Sequence, residues 1–119
     1  MHRIRSLGTD MVCLKNRINR RVISKVTKSA KGEDCRLMFQ EICNQNPETT
    51  VFAHYRHLRL GAGLGLKPTI FGAACCSSCH DECDGRTRKL DRDFVRARHA
   101  EASLIYLHDL LCKGSLKLS

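Results

Sequence analysis

The stretch CCSSCHDECDGR, residues 75–86, decides how this chain folds. Within it, Cys76 and Cys79 form a C-x2-C pair, which places two thiols about one turn of backbone apart. Structural zinc is held by four cysteine or histidine ligands, so a thiolate pair at this spacing supplies half of a tetrahedral site. The pair therefore predicts a metal-stapled fold whose other two ligands come from elsewhere in the chain.

A second pair of cysteines, Cys35 and Cys43, lies upstream with seven residues between its members. The usual spacing within a ligand pair is about two to four residues, so two buried and inert thiols are the alternative interpretation. Taken together, the two pairs predict one zinc at Cys35, Cys43, Cys76 and Cys79. Four sulfurs leave no open position on the metal, so this zinc is expected to be structural.

Eight cysteines in a 119-residue chain would form disulfides in an oxidising compartment. Residues 1–25 have a basic start but no apolar run and no cleavage site, so they do not predict a secretory signal, and we expect a cytoplasmic protein with reduced thiols. CSSCH is also the c-type haem attachment motif, with His80 as axial ligand, but that chemistry requires export. The cysteines outside the two pairs are interpreted as small buried hydrophobes: Cys13, Cys75, Cys83 and Cys112.

The bulk composition indicates a small basic protein that needs a staple. The chain carries 21 Lys and Arg against 12 Asp and Glu, a formal charge of +9 that suits DNA or RNA as a partner. Only 5% of its residues are aromatic and none is Trp, so a packed core alone supplies little stability. No apolar run approaches the roughly 18 residues of a membrane span, so we expect no membrane association.

The order of elements is predicted as helix, strand, strand, helix, helix. A helix is expected over 17–30, strands over 48–55 and 69–76, and a glycine-rich loop over 61–68 between the strands. Ser77 or Ser78 is expected to cap a short helix that carries the second cysteine pair. A cysteine pair followed by a β-hairpin and a ligand-bearing helix is a treble-clef arrangement, which predicts a small zinc-stapled α+β domain.

A long helix is predicted at the end of this order. Asp91 or Asp93 caps it and Gly114 stops it. Its core-facing stripe is predicted to contain Phe94, Ala97, Leu104, Leu107 and Leu111.

The ordered run C-x7-C, NPETxxxAH and CxxCHDxxDGR resembles the YbcO-like family of small phage and prophage proteins, regarded as nucleases of the HNH/treble-clef type. The resemblance covers about residues 24–115. It implies a domain at 24–119 behind a basic N-terminal extension at 1–23. It also implies a metal-dependent endonuclease that hydrolyses DNA phosphodiester bonds, with a non-catalytic zinc module for DNA or RNA and a protein-interaction adaptor as the alternatives.

The resemblance further implies an HNH-type catalytic site. HNH enzymes use a strand histidine to activate a water and a residue just after the second cysteine pair to hold a divalent ion, and these positions match His54 and His80. Asp84 lies four residues after His80 and so faces the same side of a helix, where the pair can hold Mg²⁺, Mn²⁺ or a second zinc. The non-catalytic alternatives are that His54 hydrogen-bonds a backbone carbonyl and that His80 and Asp84 cap or stabilise a helix.

Other residues complete or depart from that pattern. His57 is a rival base, whereas His99 and His108 are interpreted as helix-surface residues. Ala53 stands where HNH enzymes commonly place an acidic ligand, Thr69 stands where a polar or acidic residue is expected, and the middle Asn has no clear counterpart. Phosphate contacts are expected from Arg56, Arg59, Lys67, Arg86 and Arg88, while the last helix adds a solvated basic surface of Arg92, Arg96 and Arg98.

Overall fold

The computed structural model describes residues 20–56 and 70–116. These described residues form three α-helices and one two-stranded sheet. In chain order the elements are α1 (Arg20–Ser29), a single 3-10 turn (Pro47–Thr49), β1 (Val51–His54), β2 (Gly72–Cys75), α2 (Ser77–Asp84) and α3 (Arg92–Cys112). The predicted small α+β fold with a long helix after the cysteine motif is confirmed. The predicted boundary between residues 23 and 24 falls inside α1.

The two strands pair antiparallel, with His54 at the end of β1 opposite Gly72 at the start of β2. Glycine is needed at this position because a Cβ there would clash with the Ala53 carbonyl and lie 2.7 Å from the Phe52 ring. The close approach of the strands therefore fixes the backbone on which His54 stands.

β1 is shorter than the predicted strand over 48–55. Asn46 accepts a hydrogen bond from the Glu48 N–H, and Pro47 follows at the first helical position, so the chain forms a 3-10 turn before the strand begins. The side-chain cap therefore stabilises a turn here despite the β-propensity of the threonines in this segment.

α2 begins at Ser77, which is one or two residues earlier than a cap at Ser77 or Ser78 would allow. Its N-cap is Cys76, whose sulfur accepts from the Cys79 N–H at 3.4 Å, so the predicted cap at Ser77 or Ser78 is wrong. The helix ends at Gly85, which adopts a left-handed φ of 79° and donates its N–H back to Asp81 and Glu82.

The connection from α2 to α3 is stapled by Glu82, whose side chain is fully buried. Its carboxylate accepts from the Thr87 hydroxyl at 2.7 Å and the Leu90 N–H at 2.9 Å. Burial alone would raise the pKa of Glu82, but these hydrogen bonds and the Arg92 guanidinium hold it below its usual range. A charged, satisfied carboxylate therefore sets the angle between the two helices.

α3 is capped by Asp91, which accepts from the Phe94 N–H at 3.0 Å, as one of the two predicted caps. The predicted apolar stripe is wrong for Phe94, which is 49% exposed, and Leu104, which is 68% exposed, whereas Leu107 and Leu111 are half-buried and pack against the core. The face that packs on the sheet instead contains Val95, His99, Ala102, Ser103, Tyr106 and Leu110. β2 presents only small residues to this face, so the helix fills the space with an imidazole and a phenol ring.

α1 completes the core from the other side. It buries Val26 and places the Ser29 hydroxyl 2.7 Å from the Tyr106 hydroxyl of α3. The predicted helix over 17–30 thus exists over Arg20–Ser29, and the part of the prediction before residue 20 lies outside the described residues.

Candidate functional site

The four cysteines of the two predicted pairs converge at one point. The sulfurs of Cys35, Cys43, Cys76 and Cys79 all lie within 4.8 Å of one another, and the Cys43 and Cys76 sulfurs are 3.8 Å apart. A tetrahedral zinc with Zn–S bonds of about 2.3 Å holds its sulfurs about 3.8 Å apart. The group therefore has the separation and the donor set of a site that could hold a metal ion.

Backbone N–H groups point at these sulfurs. The Met38 N–H donates to the Cys35 sulfur at 3.3 Å, and the Cys79 N–H donates to the Cys76 sulfur at 3.4 Å. Three non-glycine residues between or just after the first pair take positive φ values to make this wrapping loop, namely Met38, Glu41 and Gln45. Backbone donors of this kind stabilise thiolates, and strained backbone of this kind persists when its surroundings hold it in place.

The thiols of the group also compete for protons. A hydrogen bond from Cys79 lowers the pKa of Cys35 to about 4, and the same contact raises the pKa of Cys79. Burial raises the pKa of Cys43. Two or more thiolates this close repel each other, so a bound cation is the partner that allows all four to ionise.

The remaining described cysteines do not join this group. Cys75 is fully buried and burial raises its pKa, as expected for an inert thiol. Burial likewise raises the pKa of Cys83 to about 12. Cys112 is exposed beside His108, so its predicted burial is wrong. Cys13 lies outside the described residues.

His54 ends β1 with its ring edge-on to Phe52, at a centroid distance of 4.9 Å. Its Nε2 atom is buried and has no hydrogen-bond partner among residues 20–56 and 70–116. Burial, followed by the positive charges of Arg56 and His80, lowers the pKa of His54 below its ordinary value of 6.5. The imidazole is therefore neutral near pH 7, with an unused ring nitrogen.

His80 and Asp84 form a pair on one face of α2, as their spacing predicts. The His80 Nε2 lies 3.3 Å from an Asp84 carboxylate oxygen, and the Arg56 Nε lies 3.6 Å from the other oxygen. The charges of His80 and Asp84 both act on His54, so the end of β1 and this face of α2 lie beside each other. The structure thus brings together the three residues for which a catalytic role was predicted.

The four cysteines are the only group of three or more metal-ligand side chains found within residues 20–56 and 70–116. His80 and Asp84 therefore offer two protein ligands at most from this part of the chain. His57, the rival base, and Thr69 lie outside the described residues.

His99 is the site residue that sequence reasoning missed. It was interpreted as a surface residue, but it is 6% exposed and its Nε2 lies 2.9 Å from the carbonyl oxygen of Ala53, the residue before His54. Burial lowers the pKa of His99, so the ring is neutral and donates to this carbonyl. Its spacing along α3 from Val95 and Tyr106, which share the buried face, was the available signal.

The basic residues near the site fall into two groups. Arg56 and Arg86 are exposed and lie beside Asp84 and Asp81, and Arg88 is exposed. Arg59 and Lys67 lie outside the described residues.

The predicted solvated surface of α3 is only partly correct. Arg92 donates to the carbonyls of Glu82 and Cys83, and Arg96 lies over the Tyr55 ring and donates to its hydroxyl at 3.1 Å. Arg98 forms an exposed ion pair with Glu101. The first two arginines therefore brace the fold around β1 and α2.

The fold and its four-cysteine group define a small α+β protein with a site suited to a bound metal ion. Residues 24–113 match the family described as "Putative nuclease YbcO", and the chain belongs to this family. None of the described helices has the length and apolar character needed to cross a bilayer.

Relatives and a solved structure agree with this assignment. "Putative nuclease YbcO" of Escherichia coli K12 is 39% identical over 75 residues, which are 62% of this chain and 77% of the relative. The relative of the same name from Enterobacteria phage 82 matches to the same extent. A solved "putative bacteriophage protein" of Escherichia coli K-12 has a TM-score of 0.63 at 32% identity, covering 75% of this chain and 99% of the other.

Proposed function

We propose that this chain is a metal-dependent endonuclease that hydrolyses DNA phosphodiester bonds, built on a treble-clef scaffold of the HNH type. One zinc held by the four cysteines is its structural metal. His54 is the general base, and His80 with Asp84 holds a catalytic Mg²⁺ or Mn²⁺. The family name supports nuclease activity, and the protein works in the reducing cytoplasm, where thiolates remain free for zinc.

The zinc group fixes the helix that carries the chemistry. Cys76 caps α2 and Cys79 lies in its first turn, so a metal on these sulfurs sets the position and direction of the helix. His80 follows directly, and Asp84 is one turn further on. A closed, buried staple can thus hold an open reactive face at a constant angle to β1.

The observation that carries the proposal is the buried Nε2 of His54, which no described residue of the chain hydrogen-bonds. An imidazole nitrogen that is removed from solvent without a hydrogen bond costs about 1–3 kcal/mol, so it indicates a missing water or ligand. Because burial keeps the ring neutral, this nitrogen can accept a proton from a water as that water attacks phosphorus. His99 holds the preceding carbonyl and so restrains the strand end that carries the base.

His80 and Asp84 suit a divalent ion that keeps most of its waters. Mg²⁺ is commonly bound through one or two protein ligands together with water and substrate phosphate. When bound, such an ion stabilises negative charge on the departing 3′-oxygen. Asp84 supplies a carboxylate that is only 14% exposed, and His80 supplies a ring nitrogen 3.3 Å from it.

The contact between Arg56 and Asp84 suggests that Arg56 binds the phosphate of the substrate. Its guanidinium faces Asp84 at 3.6 Å, and its side chain is 51% exposed. An exposed ion pair of this length holds the side chain weakly, so the guanidinium can turn from Asp84 to a phosphate. Arg56 would then hold the scissile phosphate beside His54.

The test is cleavage of DNA in Mg²⁺ or Mn²⁺ by wild type and by His54→Ala. We expect the variant to lose at least about 100-fold in rate, the low end for removal of a general base. Its fold, zinc content and DNA affinity should remain, since His54 lies at the end of β1 and is not a member of the four-cysteine group. His108→Ala is the matched control, because that imidazole is exposed on α3.

The assay should run for long times and include branched and single-stranded substrates, because Ala53 removes the acidic neighbour that HNH sites commonly contain. Equal trace cleavage by wild type and His54→Ala on all of them would contradict the nuclease proposal. The protein would then be a non-catalytic zinc module that binds DNA or RNA.

A further inference from the structure

α1 is the most basic element of the fold. Its sequence, RRVISKVTKS, contains no acidic residue. Arg21 and Lys25 are four residues apart and Lys25 and Lys28 are three apart, so these three cations lie on one helical face, and Arg20 lies just before them.

The opposite face of α1 is used for packing. Val26 is 2% exposed and Ala30, just after the helix, is 1% exposed. Ser29 bonds to Tyr106, so the helix is fixed against α3. The four cations are all exposed, and α1 therefore presents them to solvent from a rigid support.

These cations have no carboxylate partners among the residues that the structure describes. Most described arginines elsewhere do have one: Arg36, Arg56, Arg86, Arg92 and Arg98. Unpaired charges of one sign that lie side by side repel each other, and a polyanion removes this cost.

An open groove of about 730 Å³ lies between α1 and the end of α3. The α1 cations and Ser24 line it together with Val26 and with Ser29, whose hydroxyl is used in the contact with Tyr106, and Leu110 and Ser115 form its other wall. Cations interleaved with hydroxyl donors are the groups that bind phosphate oxygens and sugar in nucleic-acid complexes.

We infer that α1 and this groove form a second contact surface for the DNA phosphate backbone, separate from the histidine cluster. The inference extends the proposed function by adding to its DNA-binding surface. A membrane surface is the less suitable occupant, because a helix that lies on a bilayer inserts its apolar face, and here that face is buried in the core.

The distance between the two surfaces suits one duplex. His99 marks the end of β1 and Leu110 lines the groove, and eleven residues of α3 separate them. At about 1.5 Å per residue this is roughly 16 Å along the helix. Phosphates recur about every 3.4 Å along each strand, so the separation corresponds to about five base pairs. α1 would hold the duplex about half a turn from the scissile bond.

The experiment measures binding of a short DNA duplex as a function of salt, without divalent ions. The test variant is Arg21→Gln/Lys25→Gln/Lys28→Gln, which keeps an unbranched polar side chain and a similar helix propensity. We expect its affinity to fall by about 10- to 100-fold at ~0.1 M salt. The slope of log affinity against log salt should shrink by about 2 to 3, or about 0.9 per lost phosphate contact.

Two controls make the result specific. Lys89→Gln/Arg98→Gln/Lys113→Gln removes the same net charge outside α1. If α1 contacts the phosphates directly, this control should change affinity by less than about threefold. Arg21→Lys/Lys25→Arg/Lys28→Arg keeps the charge on α1 and should bind almost as wild type. Circular dichroism of each variant reports whether α1 and the fold remain.

The outcomes separate this inference from the nuclease proposal. Equal losses in the α1 variant and the charge-matched control would overturn the inference and leave catalysis at His54 untouched. Loss of binding to phosphatidylserine vesicles, with DNA binding unchanged, would overturn it in favour of a membrane surface. DNA binding that depends on α1 in a protein without cleavage would support the inference and contradict the proposed function.

Discussion

The four-cysteine group and the histidine cluster share α2 but differ in completeness. The cysteine group has four converging sulfurs, three of them at most 6% exposed, and backbone N–H groups bond to its sulfurs. The histidine cluster has a two-residue pair at 3.3 Å, an exposed guanidinium beside it, and a ring nitrogen without a partner in the part of the chain that the structure describes. A four-thiolate site with no open position stabilises the fold, whereas a site with unpaired polar atoms can bind a substrate.

The comparison predicts that damage to each region has a different effect. Loss of a cysteine should affect folding first and activity only as a consequence. Loss of a histidine-cluster residue should affect activity or metal dependence and leave the fold intact.

The largest effect is expected from Cys79→Ser or from a strong chelator. Structural zinc contributes about 10–16 kcal/mol to the folded state of small zinc domains, so its loss should unfold this one. Wild type should contain about one zinc per chain, measured by metal analysis. Thermal unfolding followed by circular dichroism measures the loss of structure.

Cys112→Ser is the control for this test, because Cys112 is exposed and lies outside the group. It should unfold as wild type does. A metal-free wild type with an unchanged melting temperature would show that the cysteines pack as ordinary core residues.

A smaller effect is expected from His80→Ala and from Asp84→Asn. Each removes one of the two predicted ligands of the catalytic ion, so activity in Mn²⁺ should fall by about 10- to 100-fold, and more Mn²⁺ should be needed for half-maximal cleavage. Zinc content should not change, because both residues lie outside the cysteine group. An unchanged divalent-ion dependence in both variants would assign these residues to bracing α2.

A still smaller effect is expected from Arg86→Ala. Arg86 is 68% exposed and lies 3.3 Å from Asp81, so its removal leaves the core intact. We expect about three- to tenfold weaker DNA binding at ~0.1 M salt, equal for all sequences, and a salt slope smaller by about one. A loss of affinity that differs from one DNA sequence to another would indicate that Arg86 contacts a base and not a phosphate.

The smallest effect concerns the acid limb of the pH profile of cleavage. In the proposed mechanism catalysis requires neutral His54. Because burial lowers its pKa below 6.5, the base should stay active as pH falls past 6.5 and be lost only below the lowered pKa. Wild type should therefore keep more than half of its plateau rate at about pH 6.5. A half-maximal rate at a pH above 6.5 would mean that His54 is solvated or that another group is the base.

The sequence predicts the cysteine group and the α2 pair because their geometry is local. A C-x2-C pair and a His–Asp pair at i and i+4 are fixed by one turn of backbone each. Asp91 as the cap of α3 is local in the same sense. The meeting of two cysteine pairs that lie 33 residues apart is what a four-thiolate metal site requires, and no other group within the described residues offers three or more such ligands.

The features that the sequence does not predict depend on the neighbours of each element. The face of α3 could not be chosen from its leucines, because the sheet beneath it offers Gly72 and two alanines and accepts larger partners. His99 and Tyr106 fill that space and leave Leu104 outside. The predicted serine cap is wrong for a similar reason, because the sulfur of Cys76, a member of the four-cysteine group, occupies the N-cap position.

Cys76 has a consequence for the order of events when the chain is made. It is both a member of the metal group and the N-cap of α2, and its partner Cys43 precedes it by 33 positions. At roughly 5–20 residues per second, synthesis exposes the first cysteine pair a few seconds before the second. Until the second pair emerges and metal arrives, α2 has no fixed start and His80 has no fixed position relative to His54. Under the proposed function, a newly made chain would therefore not act on DNA until its four-cysteine group has bound zinc.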